Sequence, residues 1–295
     1  MDNDPNVVYL EADLAGAIGT SNLLQSNPEQ AYDVGIMEAN MIGVAAGMSV
    51  KGKIPFVHSF GTFASRRCAD QTFVSGCYNN ANVKIVGSDP GIAAETNGGT
   101  HMPLEDIAIY RAFPGLKILD VADPILLEAV MYQLKSEYGM AYIRFPRKCK
   151  EIYYNEDQRF QIGKAVKLRE GRDVTIIAAG LEVFEALKAA EILQCKNISA
   201  EVLDMFTIKP IDKEAILESA QKTGCIVTAE NHNIIGGLGS AVAEVLIEEL
   251  PVPMKRIGSR DHFGEVGTQE FLKAKFHLAA EDIIYAAEEV FRKRR

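Results

Sequence analysis

The sequence predicts two α/β domains, each built on a doubly wound, mostly parallel sheet. Apolar, strand-like runs alternate with helical patterns from the first residues onward. The 295 residues suffice for two separate hydrophobic cores. A polar, tyrosine-bearing stretch at 148–172 interrupts the alternation, and FQIGKAVKLREGRD near its end looks like a hairpin. We therefore expect one domain at 1–147, a linker at 148–172 and a second domain at 173–295.

Composition and charge restrict the class of protein. The chain is 47% apolar and 24% charged, as in ordinary globular proteins. A net charge of −9 argues against a nucleic-acid partner, because no basic stripe is present to neutralise phosphates. The sequence has no apolar run of about 18 residues and no signal peptide, so we expect a cytoplasmic protein without a membrane partner. Its five cysteines form no C-x-x-C motif, which favours reduced thiols over a disulfide framework or a zinc site.

The strand-like runs can be followed along the chain. In the first domain they are VVYLEA (Val7–Ala12), a short run that ends at Ile36, IPFVHSF, VKIVG, LKILD and AYIRF. In the second they are DVTIIAAG, AEVLDM, CIVTAEN and MKRIGS. Ligands of parallel sheets collect at the carboxyl ends of strands, so polar residues that follow these runs are candidate site residues.

A helix is predicted from Met37 to Met48, because Met37, Met41, Val44, Ala45 and Met48 share one face at helical spacing. Glu38 stands at its start with no basic residue within ten positions on either side. A carboxyl group among apolar neighbours is costly to ionise, and a protonated acid can donate to a ring nitrogen. The simpler interpretation, which this stretch alone favours, is a carboxylate that complements the helix dipole.

Three motifs in order and spacing change that preference: DVGIMEANMIG, then SFGTF, then NGGTHMPLEDIA. With them the whole chain resembles the C-terminal half of the transketolase family of thiamine diphosphate enzymes. The resemblance implies a thiamine diphosphate pyrimidine-binding domain followed by a transketolase C-terminal domain. It also implies a subunit of an enzyme that transfers a two-carbon ketol unit from a ketose, or a ketose phosphate, to an aldose, as in pentose phosphate metabolism.

The resemblance assigns four residues to the cofactor. Glu38 would be catalytic and would hydrogen-bond the pyrimidine ring. Phe63 would stack on that ring, and Phe60 would wall its pocket, because a flat ring must be desolvated on one face. Asp13, in EADLAGA, would lie near the thiazolium. Without the resemblance, the two phenylalanines would be core residues, and Asp13 could equally cap a loop.

Four residues are assigned to the substrate. His101 would be catalytic, hydrogen-bonding sugar oxygens and moving a proton. Arg147 would bind a terminal anion through its guanidinium fork, unless it lies on a solvated domain edge. Asp89 replaces a histidine of the family near the sugar phosphate and would offset the charge of Arg147, and Asn97 replaces an acidic residue that contacts a substrate hydroxyl. A third departure is that the helix which in the family precedes the first strand is not in this sequence. Together the departures point either to an atypical or differently substituted sugar or to a truncated N-terminus.

The chain contains no Gly-Asp-Gly, which in the family begins the motif that binds the diphosphate and its metal. We therefore expect no metal site in this chain. An N-terminal transketolase subunit would supply that domain and its Mg²⁺ or Ca²⁺, share the thiamine diphosphate, and assemble as a dimer of heterodimers. Three alternatives stay open: the beta subunit of a 2-oxo acid dehydrogenase, an enzyme similar to 1-deoxyxylulose-5-phosphate synthase, and an inactive regulatory subunit.

Overall fold

The computed structural model describes residues 1, 3–148 and 151–294, so Cys149 and Lys150 of the predicted linker lie outside it. The strands are β1 Val7–Glu11, β2 Ala31–Asp33, β3 Ile54–Phe60, β4 Lys84–Ser88, β5 Lys117–Asp120, β6 Ala141–Phe145, β7 Val166–Arg169, β8 Val174–Ala178, β9 Ala200–Asp204, β10 Thr207–Lys209, β11 Ile226–Asn233 and β12 Met254–Ser259.

Helices fill the connections between strands. The α-helices are α1 Ala15–Ile18, α2 Ser21–Ser26, α3 Glu38–Val50, α4 Gly61–Ser65, α5 Ala69–Gln71, α6 Asp106–Arg111, α7 Pro124–Ser136, α8 Glu182–Cys195, α9 Lys213–Thr223, α10 Leu238–Glu249, α11 Gln269–Phe276 and α12 Ala280–Lys293. A π-helical segment spans Thr72–Tyr78, and 3₁₀ segments span Gly91–Asn97 and Gly99–His101.

Two sheets organise the described chain, and they confirm the predicted α/β class. The first has the strand order β10-β5-β6-β4-β3-β1-β2 and the second β12-β11-β8-β9-β7. Both sheets are parallel except at one edge, where β10 runs antiparallel to β5 and β7 antiparallel to β9. Strand β10 comes from the second half of the sequence, so the two halves interlock through the first sheet.

Three local predictions were wrong. The strand before the first long helix is β2, which ends at Asp33, and Ile36 is 69% exposed. Helix α3 buries Met41 and Ala45 as predicted, but Met37 and Val44 are exposed. The rest of its buried face is formed by Glu38, Ile42, Ala46 and Ser49. The predicted hairpin is absent from the described residues: β7 pairs with β9 and so completes the edge of the second sheet.

A buried polar cluster joins the two sheets. Arg144 of β6 donates from Nη1 to Asp106 Oδ1 at 2.6 Å and from Nη2 to the carbonyl of Asn231 at 2.6 Å. Its Nε lies 3.2 Å from Asp120 Oδ1. Asn231 belongs to β11 of the second sheet, so this guanidinium fixes the second domain against β6. A buried ion pair of this kind is strongly destabilising to break, because the remaining charge loses its partner.

Candidate active site

The candidate site lies where four neighbouring parallel strands end. Register pairs Glu11 of β1 with His58 of β3, Phe60 of β3 with Ser88 of β4, and Ser88 with Phe145 of β6. The residues that follow these strands therefore meet at one edge of the sheet, which is where ligands of open α/β sheets bind.

Glu38 is the first residue of α3, and its side chain is 1% exposed. Its Oε1 accepts a hydrogen bond from Ser59 Oγ at 3.2 Å, and its Oε2 lies 2.6 Å from Arg67 Nη1. Glu38 therefore has a cationic neighbour in the fold, although no basic residue lies within ten positions of it in the sequence. Sequence distance concealed the partner, because Arg67 follows the next strand and reaches back through the fold.

An aromatic cluster lies beside this ion pair. The ring centroid of His101 is 5.8 Å from that of Phe60 and 5.3 Å from that of Phe63, both in edge-on arrangements. Phe60 and Phe63 are 6.4 Å apart. Two guanidinium groups flank the cluster: Arg67 lies 4.4 Å from the Phe63 centroid and Arg147 4.8 Å from that of Phe60. Such contacts fix both rings by cation–π attraction.

Arg147 and Asp89 form an ion pair. Asp89 Oδ2 lies 2.5 Å from Arg147 Nη2 and accepts from its Nε at 2.7 Å, while Oδ1 accepts from the Arg147 backbone N–H at 3.2 Å. Arg147 Nη1 donates to the carbonyl of Ala17 at 2.6 Å. Asp89 is buried and has φ of 55°, a left-handed conformation that non-glycine residues adopt mainly at constrained sites.

The loop that carries His101 is fixed from both domains. Arg66 donates to the carbonyl of Thr100 at 3.3 Å. From the second domain, Gly264 approaches so closely that a Cβ on Gly99 would lie 2.1 Å from its carbonyl oxygen. Only glycine fits at position 99, and the contact places the second domain directly against the loop.

Asp13 and Asn97 lie at the rim of the site. Both are exposed, and Asp13 has φ of 59° with its N–H donating to Asp33 Oδ1 at 3.1 Å. Asn97 ends a 3₁₀ segment. Among the described hydrogen bonds, none joins Asn97 to Asp89, His101 or Arg147. The structure thus brings together Glu38, Phe60, Phe63, Asp89, His101 and Arg147, with two of the predicted residues outside that contact network.

Sequence reasoning missed three buried polar residues beneath the site: Glu11, His58 and Ser88. His58 Nδ1 lies 2.9 Å from Glu11 Oε2, and its Nε2 lies 3.0 Å from Ser88 Oγ. Each stands inside an otherwise apolar strand run, and a buried polar group needs a partner. That contrast within VVYLEA, IPFVHSF and VKIVGS was the available signal.

The side chains at this edge fit an aminopyrimidine ring. Glu38 offers a carboxyl group to a ring nitrogen, and Phe60 and Phe63 offer apolar faces. Among residues 1, 3–148 and 151–294, no group of three or more His, Cys, Asp or Glu side chains could hold a metal ion. None of the helices in those ranges has the length and apolar character that crossing a bilayer requires.

Two α/β domains with a buried glutamate and aromatic faces at the edge of the first sheet are the arrangement expected for the pyrimidine side of a thiamine diphosphate enzyme. Comparison with known proteins agrees with this class. Residues 1–150 match the family model described as "Transketolase, pyrimidine binding domain", and residues 163–283 match "Transketolase, C-terminal domain". The chain belongs to the transketolase family. It is a subunit of a thiamine diphosphate-dependent enzyme that transfers a ketol unit.

Similar proteins include the 6-deoxy-6-sulfo-D-fructose transketolase subunit SqwH of Clostridium sp. (strain MSTE9). It is 53% identical over 287 residues, which span 97% of this chain and 89% of that one. One subunit of the apulose-4-phosphate transketolase of Phocaeicola vulgatus is 37% identical over 98% of this chain and 93% of its own length. A solved structure titled "Split gene transketolase, inactive beta4 tetramer" superposes with a TM-score of 0.93 at 40% identity, covering 100% of this chain and 95% of that chain.

Proposed function

We propose that this subunit acts on a ketose whose far end carries a single negative charge, a sulfonate, and transfers its two-carbon ketol unit to an aldose. The pairing of Arg147 with Asp89 carries the proposal. It leaves the anion end of the site near neutral, although the guanidinium itself is a permanent cation. The relative that is 53% identical is named for a sulfonated fructose, which supports the same donor class.

Charge balance distinguishes the candidate donors. A phosphate monoester carries about −1.5 to −2 at neutral pH, whereas a sulfonate carries one negative charge. Arg147 has five N–H groups. Its described contacts engage Nε and Nη2 with Asp89 and Nη1 with Ala17, so N–H capacity remains for one further acceptor group. The second negative charge of a phosphate dianion would lie near the Asp89 carboxylate, which already neutralises Arg147, and would be repelled by it. The site therefore suits a monoanion better than a dianion.

The chain's own residues would hold the cofactor and position the sugar. Bound thiamine diphosphate would supply the carbon nucleophile for ketol transfer. Glu38 would hold a proton at the pyrimidine ring nitrogen, Phe63 would orient the ring, and Phe60 would exclude water from its edge. Asp13 at the rim would face the thiazolium side.

At the substrate end, His101 would hydrogen-bond the sugar oxygens and move a proton there. It lies against both phenylalanine rings, and its Nδ1 is 3.0 Å from Thr100 Oγ1. Asn97 would contact a donor hydroxyl from the rim. Because Asn97 lacks a charge, it would accept a wider range of substituents than an acidic residue at that position.

A partner chain would complete the site. The sequence contains no Gly-Asp-Gly, so an N-terminal transketolase subunit would bind the diphosphate and its Mg²⁺ or Ca²⁺. Two such pairs would assemble as a dimer of heterodimers. The similar structure titled an inactive tetramer of beta subunits supports the inference that this half requires its partner for activity.

The test compares three donors on one carbon skeleton with the assembled enzyme: 6-deoxy-6-sulfofructose, fructose 6-phosphate and fructose. We expect the highest kcat/KM for the sulfonate and the lowest for fructose. A preference for the phosphate of about tenfold or more would overturn the sulfonate assignment. Pyruvate serves as a further donor, because its use would instead favour 1-deoxyxylulose-5-phosphate synthase-like or 2-oxo acid chemistry.

A further inference from the structure

Beneath the site, three fully buried polar side chains form a continuous chain across strands β1, β3 and β4. The His58 ring bridges Glu11 Oε2 at 2.9 Å and Ser88 Oγ at 3.0 Å. All three are 0% exposed. A carboxylate, an imidazole and a hydroxyl are costly to bury, and apolar residues would build the same sheet. The two ends of this hydrogen-bonded row, Glu11 and Ser88, each support a different part of the site.

At one end, Glu11 fixes the turn that leaves β1. Its Oε1 accepts from the backbone N–H groups of Ala12 at 3.0 Å and Leu14 at 3.1 Å. Its Oε2 also accepts from the Tyr9 hydroxyl. Burial and the adjacent carboxylate raise the pKa of Tyr9, so that hydroxyl remains a donor. Asp13 lies within this turn, and α1 follows it.

At the other end, Ser88 directly precedes Asp89, whose carboxylate holds Arg147. Arg147 in turn donates to the carbonyl of Ala17 in α1, at 2.6 Å. The contacts therefore close a ring: β1 and its turn, α1, the Arg147 guanidinium, Asp89, Ser88 and His58. Apart from the covalent connections along the chain, each link is a hydrogen bond or ion pair, and His58 is the link that crosses beneath the site.

We propose that His58 is a positioning residue for the site that binds the donor's anion. It would hold the Arg147 guanidinium in place along two routes. One runs through Ser88 and Asp89, and the other through the turn that Glu11 fixes. The inference rests on the proposed function in that Arg147 receives the donor's anion. It predicts that breaking the His58–Ser88 contact displaces the guanidinium without altering the Glu38 end of the site. The effect should therefore fall on KM for anionic donors.

The experiment uses the assembled enzyme with Ser88→Ala, His58→Asn and the double variant. Alanine removes only the hydroxyl. Asparagine keeps an amide donor for Glu11 but is too short to reach Ser88. A hydrogen bond is worth about 0.5–1.5 kcal/mol, so each variant should raise KM for the sulfonated donor roughly two- to tenfold. KM for fructose and kcat for both donors should stay within about twofold. The double variant should add nothing further, because both changes delete one contact.

Ser219→Ala, a buried serine on α9 of the second domain, is the matched control and should change neither KM. Equal losses for the anionic and neutral donors would mean that His58 is merely structural and would overturn the inference. Arg147→Ala is run in parallel. If it weakens only the anionic donor while Ser88→Ala does not, the positioning role fails and the donor assignment stands. If Arg147→Ala affects both donors alike, the donor assignment fails and the inference with it.

Discussion

The Arg67 guanidinium lies 2.6 Å from the Glu38 carboxylate, although the two residues are 29 positions apart in sequence. The same guanidinium lies 4.4 Å from the centroid of Phe63. One half-exposed arginine thus links the buried acid to the aromatic face beside it. Glu38 and Phe63, which we assign to the pyrimidine ring, are therefore fixed relative to each other, because moving either would disturb its contact with Arg67.

Replacing Glu38 by glutamine should lower kcat by about 10²–10⁴-fold, because glutamine keeps the shape but offers no ionisable proton. The fold should persist, since the glutamine oxygen can still accept from Arg67 and its NH2 group can donate to the Ser59 hydroxyl. The measurement is turnover with the partner subunit, alongside thermal unfolding. Glu128→Gln, an exposed carboxylate on α7, is the control. Retention of most activity by Glu38→Gln would remove the residue from its assigned role.

Asp89→His should shift donor preference from the sulfonate towards the phosphate, because it removes the charge that offsets Arg147. Histidine is among the few side chains that tolerate the positive φ at this position. We expect the ratio of kcat/KM values for the phosphate and the sulfonate to rise by roughly tenfold, about 1.4 kcal/mol. Steady-state kinetics with both donors measures it. An unchanged ratio would show that Asp89 does not set donor charge.

Asp204 should make the fold less stable as pH rises. Burial raises the pKa of this carboxyl to about 7, although the Tyr154 and Tyr153 hydroxyls oppose the shift. Between its ordinary pKa and about 7, the folded state keeps a proton that the unfolded chain has lost, so this group's contribution falls with rising pH. The free energy of unfolding of Asp204→Asn should therefore rise relative to that of the natural chain as the pH increases from about 5 to 8, by on the order of 1–4 kcal/mol.

Thermal unfolding across that range measures the difference, and Asp173→Asn is the control. Burial opposes the shift at Asp173, but the Ser199 N–H and Arg294 hold the pKa of that carboxyl below its usual range. Asp173 therefore titrates below the tested pH window. The difference in free energy of unfolding between Asp173→Asn and the natural chain should be constant within that window. If the difference in free energy of unfolding between Asp204→Asn and the natural chain were also constant, the raised pKa of Asp204 would be contradicted.

Most strand ends of the first sheet could be predicted from sequence, because apolar runs stop where the chain turns at the edge of the sheet. The exception is β2, which ends at Asp33 and not at Ile36. The roles of Phe60, Asp89 and Arg147 came from the resemblance to the transketolase family, because the end of a strand does not show what a side chain there binds. The partner of Glu38 could not be, since a contact between elements depends on how α3 packs against the helices after β3. The predicted hairpin failed for a similar reason: an alternating run such as β7 does not reveal which strand it will pair with.

The contacts among the buried polar residues beneath the site also could not be predicted from the sequence. His58 occupies an apolar strand, where a single polar residue is usually taken for a tolerated exception. Its role depends on Glu11 and Ser88, which lie on the two neighbouring strands. Register decides whether such residues meet, and register is fixed only once the whole sheet is assembled.

The most direct test of the shared active site is ketol transfer by this chain alone, by the N-terminal subunit alone and by their mixture, with thiamine diphosphate and Mg²⁺ present. We expect turnover only in the mixture, with saturation at equal amounts of the two chains. Calorimetry on the isolated chain should show weak cofactor binding that Mg²⁺ does not strengthen. Turnover by this chain alone, or tight metal-dependent binding of the cofactor without the partner, would contradict the account.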